Sequence, residues 1–244
     1  MKDVIKKIKN KYFIYVTTHT ENELENIKEK YQNEKNIKCL KLDITSKIDR
    51  EKVKKLDIDI LIANAAIGIG GSVINMNIND IRNNFEVNVF SNFELIQIIL
   101  NKMLKKDNGK IIIMASMAGE FPIPFLGSYC STKASIIKLS ECLKKELKIL
   151  KSKINICLIE PGMYKTGFNK IMFDNKYGTN FDLIFKEELE IIKRKENIMM
   201  ILLEQKTFNS IVNKIIKAIE NDNKFIYRAP LIQKIGVKIY NILN

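Results

Sequence analysis

The chain has 244 residues, a hydrophobic fraction of 46% and a formal net charge of +13, and this composition excludes an intrinsically disordered protein. Its length suits one well-cored domain. The lysines are scattered along the chain and do not form a basic stripe with arginines and aromatic residues, so we expect no nucleic-acid partner. With a single histidine, His19, and four cysteines that lack CxxC spacing, we also expect no metal site.

Three further features of the sequence indicate the cellular location of the protein. No apolar run approaches the ~18 residues that a membrane-spanning helix requires, and the sequence lacks the pattern of a secretory signal. Isolated cysteines in such a chain are expected to be reduced thiols. We therefore expect a cytoplasmic protein without a membrane span.

Short apolar segments alternate with longer helical patterns along the chain. The predicted strands are residues 12–17, 37–42, 58–63, 110–114 and 154–159, and the predicted helices are residues 21–32, 79–106 and 129–150. Continuous apolar runs of this length are typical of strands buried on both faces of a parallel sheet. The alternation predicts an α/β domain, in which ligands bind beyond the carboxyl ends of the strands.

Tyr129 and Lys133 carry the strongest chemical signal. They lie four residues apart at the start of a predicted helix, so their side chains share one face. A neighbouring ammonium is expected to lower the tyrosine pKa from ~10 towards the working pH, and Tyr129 could then exchange a proton with a carbonyl or alcohol oxygen. Ser116, just after a predicted strand, could hydrogen-bond that oxygen. Alone, the Tyr-x-x-x-Lys spacing fits a solvated surface pair better than a catalytic pair.

Five elements, in matching order and spacing, resemble the short-chain dehydrogenase/reductase family. They are Asn64-Ala-Ala-Ile-Gly68, Asn88 in Asn-Val-Phe, Ser116 in Ser-Met-Ala-Gly, Tyr129-Cys-Ser-Thr-Lys133, and Pro161-Gly162 with Thr166. The resemblance extends from Asp43 to about Thr166. It implies a single Rossmann-like domain over residues 1–244, with a doubly wound parallel sheet.

The resemblance also implies an activity and a role for each matching residue. The activity is an NADP- or NAD-dependent interconversion of a ketone or aldehyde and an alcohol, by a homodimer or homotetramer. Tyr129 would be the general acid/base, and Lys133 would lower its pKa and hold the nicotinamide ribose. Ser116 would orient the small-molecule substrate, and Asn88 would maintain a proton-relay water. The implied cofactor contacts are Asp43, Asn64, Ala65, Tyr129, Lys133, Pro161, Gly162 and Thr166; Asp43 and Pro161-Gly162 could instead be simple turn residues.

One defining family element is missing from the sequence. The Gly-rich turn, Thr-Gly-x-x-x-Gly-x-Gly, and the strand before it are absent, since the earliest glycine is Gly68. Aligning residues 12–17 with the second strand of the family places residues 1–10 in the helix after the glycine motif, so about 20 residues would be missing upstream. We expect a start codon placed too late or a truncated gene. A catalytically inactive remnant or a binding protein is the alternative.

The sequence gives weaker signals for the cofactor and the substrate. Thr17-Thr18-His19-Thr20 follows the first predicted strand with no carboxylate before Glu21, which favours NADP over NAD. Residues 163–206 predict a lid over an apolar substrate, lined by Phe168, Ile171, Met172, Phe173, Tyr177, Phe181, Leu183, Ile184 and Phe185. The run from Glu160 to Phe168 resembles the hydroxysteroid and retinol dehydrogenase-like subgroup.

Residues 231–244 predict a C-terminal helix with an apolar stripe. Ile232, Ile235, Ile239 and Ile242 fall on one face. This face is expected to pack on the domain or on a partner subunit; the alternative is a helix that lies at a membrane surface.

Overall fold

The computed structural model describes residues 1–174, 184–220 and 224–242. Its strands are β1 (Ile14–Thr18), β2 (Ile37–Lys41), β3 (Ile60–Ala63), β4 (Lys110–Met114), β5 (Asn155–Ile159) and β6 (Ile226–Tyr227). The helices are α1 (Lys2–Ile8), α2 (Glu21–Tyr31), α3 (Lys47–Val53), α4 (Ile78–Phe85), a π-helix (Glu86–Ser91), α5 (Asn92–Lys106), a 3-10 turn (Met117–Gly119), α6 (Gly127–Ile149), α7 (Phe168–Asp174), α8 (Leu189–Leu203), α9 (Asn209–Glu220) and α10 (Leu231–Ile242). The predicted α/β class with a parallel, Rossmann-like sheet in a single domain is confirmed.

The parallel strands form two hydrogen-bonded groups. Strands β3, β4, β5 and β6 pair in that order, and β1 pairs only with β2 among the described strands. Ile112 in the middle of β4 lies opposite Ile62 on one side and Cys157 on the other. The division between β1 and β3 falls where the family resemblance requires a central strand that this sequence lacks.

Strand β4 forms the centre of the core. Ile111, Ile112 and Ile113 are almost completely buried, as expected for a strand covered on both faces. Because side chains alternate along a strand, Ile111 and Ile113 join the cluster that contains Ile99 of α5, whereas Ile112 joins the opposite cluster with Val4 of α1. The sheet is therefore packed against helices on both sides.

The C-terminal helix forms as predicted, but its orientation differs from the prediction. Ile232, Ile235, Ile239 and Ile242 are exposed, so the expectation that this stripe packs on the domain is wrong. The face that packs inward is instead formed by Gln233, Val237 and Tyr240. Among the described helices, none is both long and apolar enough to cross a bilayer.

The divided sheet predicts unequal protection of backbone amides. Strand β4 is paired on both sides, whereas β3, among the strands that the structure describes, is paired only with β4. We expect amide hydrogens of β3 that point away from β4 to exchange roughly tenfold or more faster than those of β4, since they lack a strand partner. Hydrogen exchange of the 244-residue chain followed by NMR measures this. Equal protection of both strands would contradict the division.

Candidate active site

The predicted site residues lie on loops that follow neighbouring strands. Ser116 follows β4, Asn64 follows β3 and Pro161 follows β5. The loops are joined directly, since the backbone N–H of Met117 donates to the carbonyl oxygen of Pro161 at 3.0 Å. As predicted from the parallel sheet, these residues therefore share the edge where strands end.

Ser116, Tyr129 and Lys133 come together at that edge. The Ser116 side chain lies close enough to the Tyr129 hydroxyl to influence its pKa, and the Lys133 Nζ lies 5.7 Å from the centroid of the Tyr129 ring. A close approach of backbones sets this geometry: a Cβ on Gly119 would lie 2.7 Å from the carbonyl carbon of Lys133. A glycine at this position thus lets the Ser116 loop lie against α6.

Burial determines the protonation of Tyr129. The side chain is buried beside Lys133, and this burial raises the pKa of Tyr129 above its usual value of 10.0, outweighing the influence of Ser116, which lowers it. The expectation that Lys133 lowers this pKa is therefore wrong for the ligand-free structure. The physical reason is that the ammonium points elsewhere: Nζ donates to the carbonyl oxygen of Met114 at 3.1 Å.

Lys133 is itself perturbed by burial. Its side chain is 3% exposed, and burial lowers the pKa of Lys133 from 10.5 to about 8. The solvated surface pair that the Tyr-x-x-x-Lys spacing also allowed is excluded, because both side chains are buried. A buried ammonium hydrogen-bonded to a neutral carbonyl retains capacity to donate to a ligand hydroxyl.

Asn88 holds the loop after β3 in place. Its side-chain oxygen accepts from the N–H of Ile67 at 2.8 Å, and its Nδ2 donates to the carbonyl oxygen of Ile67 at 2.9 Å. Nδ2 also lies 3.1 Å from the hydroxyl of Thr132, one residue before Lys133. Asn88 is fully buried within the π-helix, a form frequently found at functional sites. These contacts give it a positioning role; the proton-relay water stays a prediction.

Two further asparagines extend this clamp and were missed from the sequence. Asn84 makes the same paired hydrogen bonds with the backbone of Ile69, at 3.1 and 2.8 Å, and donates to Ser128 on α6. Asn92 donates to the carbonyl oxygen of Ala65 at 2.9 Å. The signal that could have revealed them is asparagine at intervals of four residues. We call Asn84, Asn88 and Asn92 the asparagine clamp.

The loop that this clamp holds presents the predicted cofactor residues. Asn64 and Ala65 are exposed directly after β3, while the Ala65 carbonyl is bound by the clamp. Both residues are therefore accessible to solvent at the edge where the strands end. The cofactor contacts assigned to Asn64 and Ala65 stay predictions.

Asp43 and His19 lie together beyond β2 and β1. His19 Nε2 is 3.6 Å from Asp43 Oδ2, and Asp43 Oδ1 accepts from the backbone and hydroxyl of Thr45 at 2.9 and 2.7 Å. Burial alone would raise the pKa of Asp43, but these hydrogen bonds outweigh it and the pKa is lowered. These hydrogen bonds are those expected of a turn residue, the alternative that the sequence left open for Asp43. The cofactor contact that the family resemblance implies for Asp43 stays a prediction.

The Pro161-Gly162 turn is bound by the C-terminal helix. The side chain of Gln233 on α10 donates to the carbonyl oxygen of Met163 at 3.0 Å and approaches Gly162 so closely that no Cβ fits there. Thr166 is exposed, and its Oγ1 accepts from the N–H of Phe168 at the start of α7. The turn and Thr166 therefore have structural contacts, and their cofactor contacts stay predictions.

Glu160, directly before this turn, is a buried acid that sequence reasoning did not use. Its side chain is almost inaccessible, and burial, assisted by the charge of Glu120, raises its pKa. Arg228 lies between both carboxylates, 3.5 Å from Glu160 and 3.2 Å from Glu120, and Lys234 of α10 pairs with Glu120. The cluster joins the loop after Ser116 to α10.

Helix α7 covers Tyr129. The Phe168 ring lies 5.8 Å from the Tyr129 ring, and Met172 is buried in the same cluster. A Cβ on Gly68 would meet the Met172 sulfur at 2.8 Å, so α7 extends from Tyr129 to the clamped loop.

Other residues of the predicted lid differ in their placement. Ile171 and Ile184 are exposed, and Phe185 packs edge-on against Phe125 with ring centroids 5.3 Å apart. Tyr177, Phe181, Leu183 and the side chain of Phe173 lie outside the part of the chain that the structure describes. Of the predicted lining, Phe168 and Met172 are therefore the residues placed over Tyr129.

Comparison with known proteins identifies the family. Residues 4–176 match the model of the short chain dehydrogenase family, and the chain belongs to that family.

Individual relatives give the range of similarity. The chain is 31% identical over 173 residues to the 3-ketodihydrosphingosine reductase of Bacteroides thetaiotaomicron, covering 66% of this chain and 62% of that protein. It is 32% identical over 129 residues to 17-beta-hydroxysteroid dehydrogenase 13 of Rattus norvegicus, covering 52% of this chain and 43% of that protein. The chain thus spans about half the length of such relatives. The closed form of a serine dehydrogenase complexed with NADP+ has the same fold, with a TM-score of 0.71 and 18% identity over 93% of this chain and 89% of that one.

The family implies a nicotinamide cofactor, and the hydrogen-bond donors of the site match groups that such a cofactor carries. The buried ammonium of Lys133 and the hydroxyl groups of Tyr129 and Ser116 form a compact donor set beside a neutral carbonyl, which suits ribose hydroxyls and a carboxamide. The nicotinamide end therefore fits. The residues ahead of Gly68 contain no glycine, so the fit to the cofactor rests on its nicotinamide end.

The asparagine clamp predicts a loss of stability when one member is removed. Asn88→Ala leaves the buried N–H and C=O of Ile67 without their partner, so we expect the free energy of unfolding to fall by about 1–3 kcal/mol. Urea unfolding measures the change. The matched control is Asn26→Ala on an exposed part of α2, expected within about 0.5 kcal/mol of wild type. Equal effects of both substitutions would contradict the clamp.

Proposed function

We propose that the protein is an NADP-dependent oxidoreductase that interconverts a ketone or aldehyde and an alcohol on a hydrophobic small molecule. The observation that carries this proposal is the buried constellation of Ser116, Tyr129 and Lys133 at the carboxyl end of β4. Family membership supports the reaction class.

Each group has a part that follows from its contacts. Tyr129 is a neutral phenol at ordinary pH, since burial raises its pKa, and a neutral phenol is the form that donates a proton to a carbonyl oxygen. Ser116 lies beside the phenol and is placed to bind the same oxygen. Lys133 would hold the ribose of the cofactor, and the bound nicotinamide supplies or accepts the hydride. Asn88 positions the loop of Asn64 and Ala65 beside this site.

The preference for NADP rests on charges near the end of β1. His19 is exposed there and could face a 2′-phosphate. Glu23 is the nearest carboxylate on α2, but it accepts from the N–H groups of His19 and Thr20 in a capping box, so it is engaged with the backbone and unsuited to bind a ribose hydroxyl. The serine dehydrogenase complex with NADP+ adds support from a protein of the same fold.

A hydrophobic substrate is supported by the cover over Tyr129. Phe168 and Met172 present apolar side chains to the phenol, so residues 163–206 would form the lid of the substrate pocket. The two relatives are named for a keto sphingosine and a hydroxysteroid, both mainly hydrocarbon molecules. A homodimer or homotetramer, with one domain over residues 1–244, belongs to the same proposal.

An inactive remnant or binding protein is the second candidate. The division between β1 and β3 among the described strands favours it, because it affects the region of the sheet that would hold the pyrophosphate. The two candidates differ in whether the chain binds NADPH and turns over a ketone.

Replacing the phenol separates these candidates. Tyr129→Phe removes the proton donor and retains the ring, so we expect NADPH-dependent reduction of hydrophobic ketones to fall by at least about 100-fold while NADPH binding persists. Absorbance at the NADPH band measures turnover, and NADPH fluorescence measures binding.

The matched control is Tyr31→Phe on α2, outside the site, which should retain wild-type activity. Wild-type activity in Tyr129→Phe would contradict the catalytic assignment. NADPH binding too weak to detect in wild type would favour the remnant.

A further inference from the structure

The outer face of α10 is apolar and exposed. Five aliphatic side chains, Leu231, Ile232, Ile235, Ile239 and Ile242, are between 48% and 83% exposed. At 3.6 residues per turn they fall within an arc of about 100°. The opposite side of the helix is occupied by Gln233, Val237 and Tyr240, which already pack on the domain. The outer arc is therefore an apolar surface on which each of these side chains is about half or more exposed.

Helix α8 enlarges this surface. Ile198, Ile201 and Leu202 are also exposed. The two helices contact each other, and the Leu203 side chain lies against Gly236 so closely that no Cβ fits there. The three exposed side chains of α8 and the five of α10 thus belong to neighbouring helices, and we call them the α8–α10 face. The arc of α10 is the larger part of this face, and exposed apolar side chains grouped in this way are a feature of interaction sites.

Charge distinguishes between the possible occupants of this face. Helix α10 contains Lys234 and Lys238 and no acidic residue; Lys234 pairs with Glu120, while Lys238 is exposed at the border of the face. Helix α8 contains three basic residues, with Glu190 and the buried Glu196 as its acids. The chain as a whole carries +13. A second copy would bring like charges together, whereas an anionic surface attracts them.

We propose that the α8–α10 face docks the protein on bilayers that contain anionic phospholipid. An amphipathic helix with aliphatic residues on one arc and lysine beside it lies in the interface plane and does not cross the bilayer. This agrees with the described helices, of which none could span a membrane. The proposal does not depend on the catalytic assignment, because it rests on the exposed apolar side chains of α8 and α10 and on charge, and not on Tyr129 or Lys133.

Co-sedimentation with vesicles tests the proposal. We expect the full chain to pellet with phosphatidylcholine vesicles that contain phosphatidylglycerol, and this binding to weaken with salt. Combining Ile235→Glu and Ile239→Glu should reduce binding at least about tenfold, since charges on the apolar arc cannot enter the interface. Lys238→Glu leaves the apolar face intact and should reduce binding to anionic vesicles.

The control is Ile48→Glu on α3, an isoleucine that is more exposed than Ile235 and Ile239 and lies on another part of the surface; this variant should bind as wild type does. The proposal is overturned if wild type stays in the supernatant, if it binds pure phosphatidylcholine equally well, or if the double variant binds like wild type. It is also overturned if sedimentation shows a dimer that the double variant dissolves, because a second copy then occupies the face.

Discussion

The burial of the Lys133 ammonium is the interaction on which the rest of the site depends. Nζ donates to the carbonyl oxygen of Met114 at the end of β4, which ties α6 to the strand that leads to Ser116. The change in pKa from 10.5 to about 8 corresponds to about 3 kcal/mol by which folding disfavours the charged form. An apolar side chain would avoid this cost, so a lysine at this position indicates a function other than stability.

Burial also determines the protonation state of the Tyr129 phenol before a substrate binds. With the ammonium directed at Met114, burial dominates the phenol and keeps it protonated. Helix α7 contributes to that burial through Phe168 and Met172, and the asparagine clamp holds the neighbouring loop at a fixed distance. Tyr129 and Lys133, helix α7 and the clamped loop thus form one connected unit, whereas the division between β1 and β3 lies outside it.

Local patterns in the sequence predicted five of the six described strands and the proximity of Ser116, Tyr129 and Lys133, but neither the two-residue strand β6 nor the contacts that depend on distant segments. Lys110–Met114 was predicted to its ends because a buried strand has a continuous apolar run, and the spacing of Tyr129 and Lys133 determines their common face. The protonation of Tyr129 could not be predicted, since Phe168 and Met172 bury it from about 40 residues away. Asn84 and Asn92 were missed because their partners lie 15 to 44 residues away along the chain, in the loop after β3 and on α6. The inward face of α10 contains Gln233, which bonds the turn after β5, so the apolar periodicity of this helix indicated the wrong face.

The free energy of unfolding of Lys133→Met at pH 7 tests the central claim most directly. The ammonium is charged at this pH, and its burial destabilises the folded state, because the folded pKa of Lys133 lies below the unfolded value. The account predicts that the substitution stabilises the protein by about 1–3 kcal/mol while ketone reduction is lost. A destabilised Lys133→Met protein would contradict it, because the buried lysine would then serve the fold and not the chemistry.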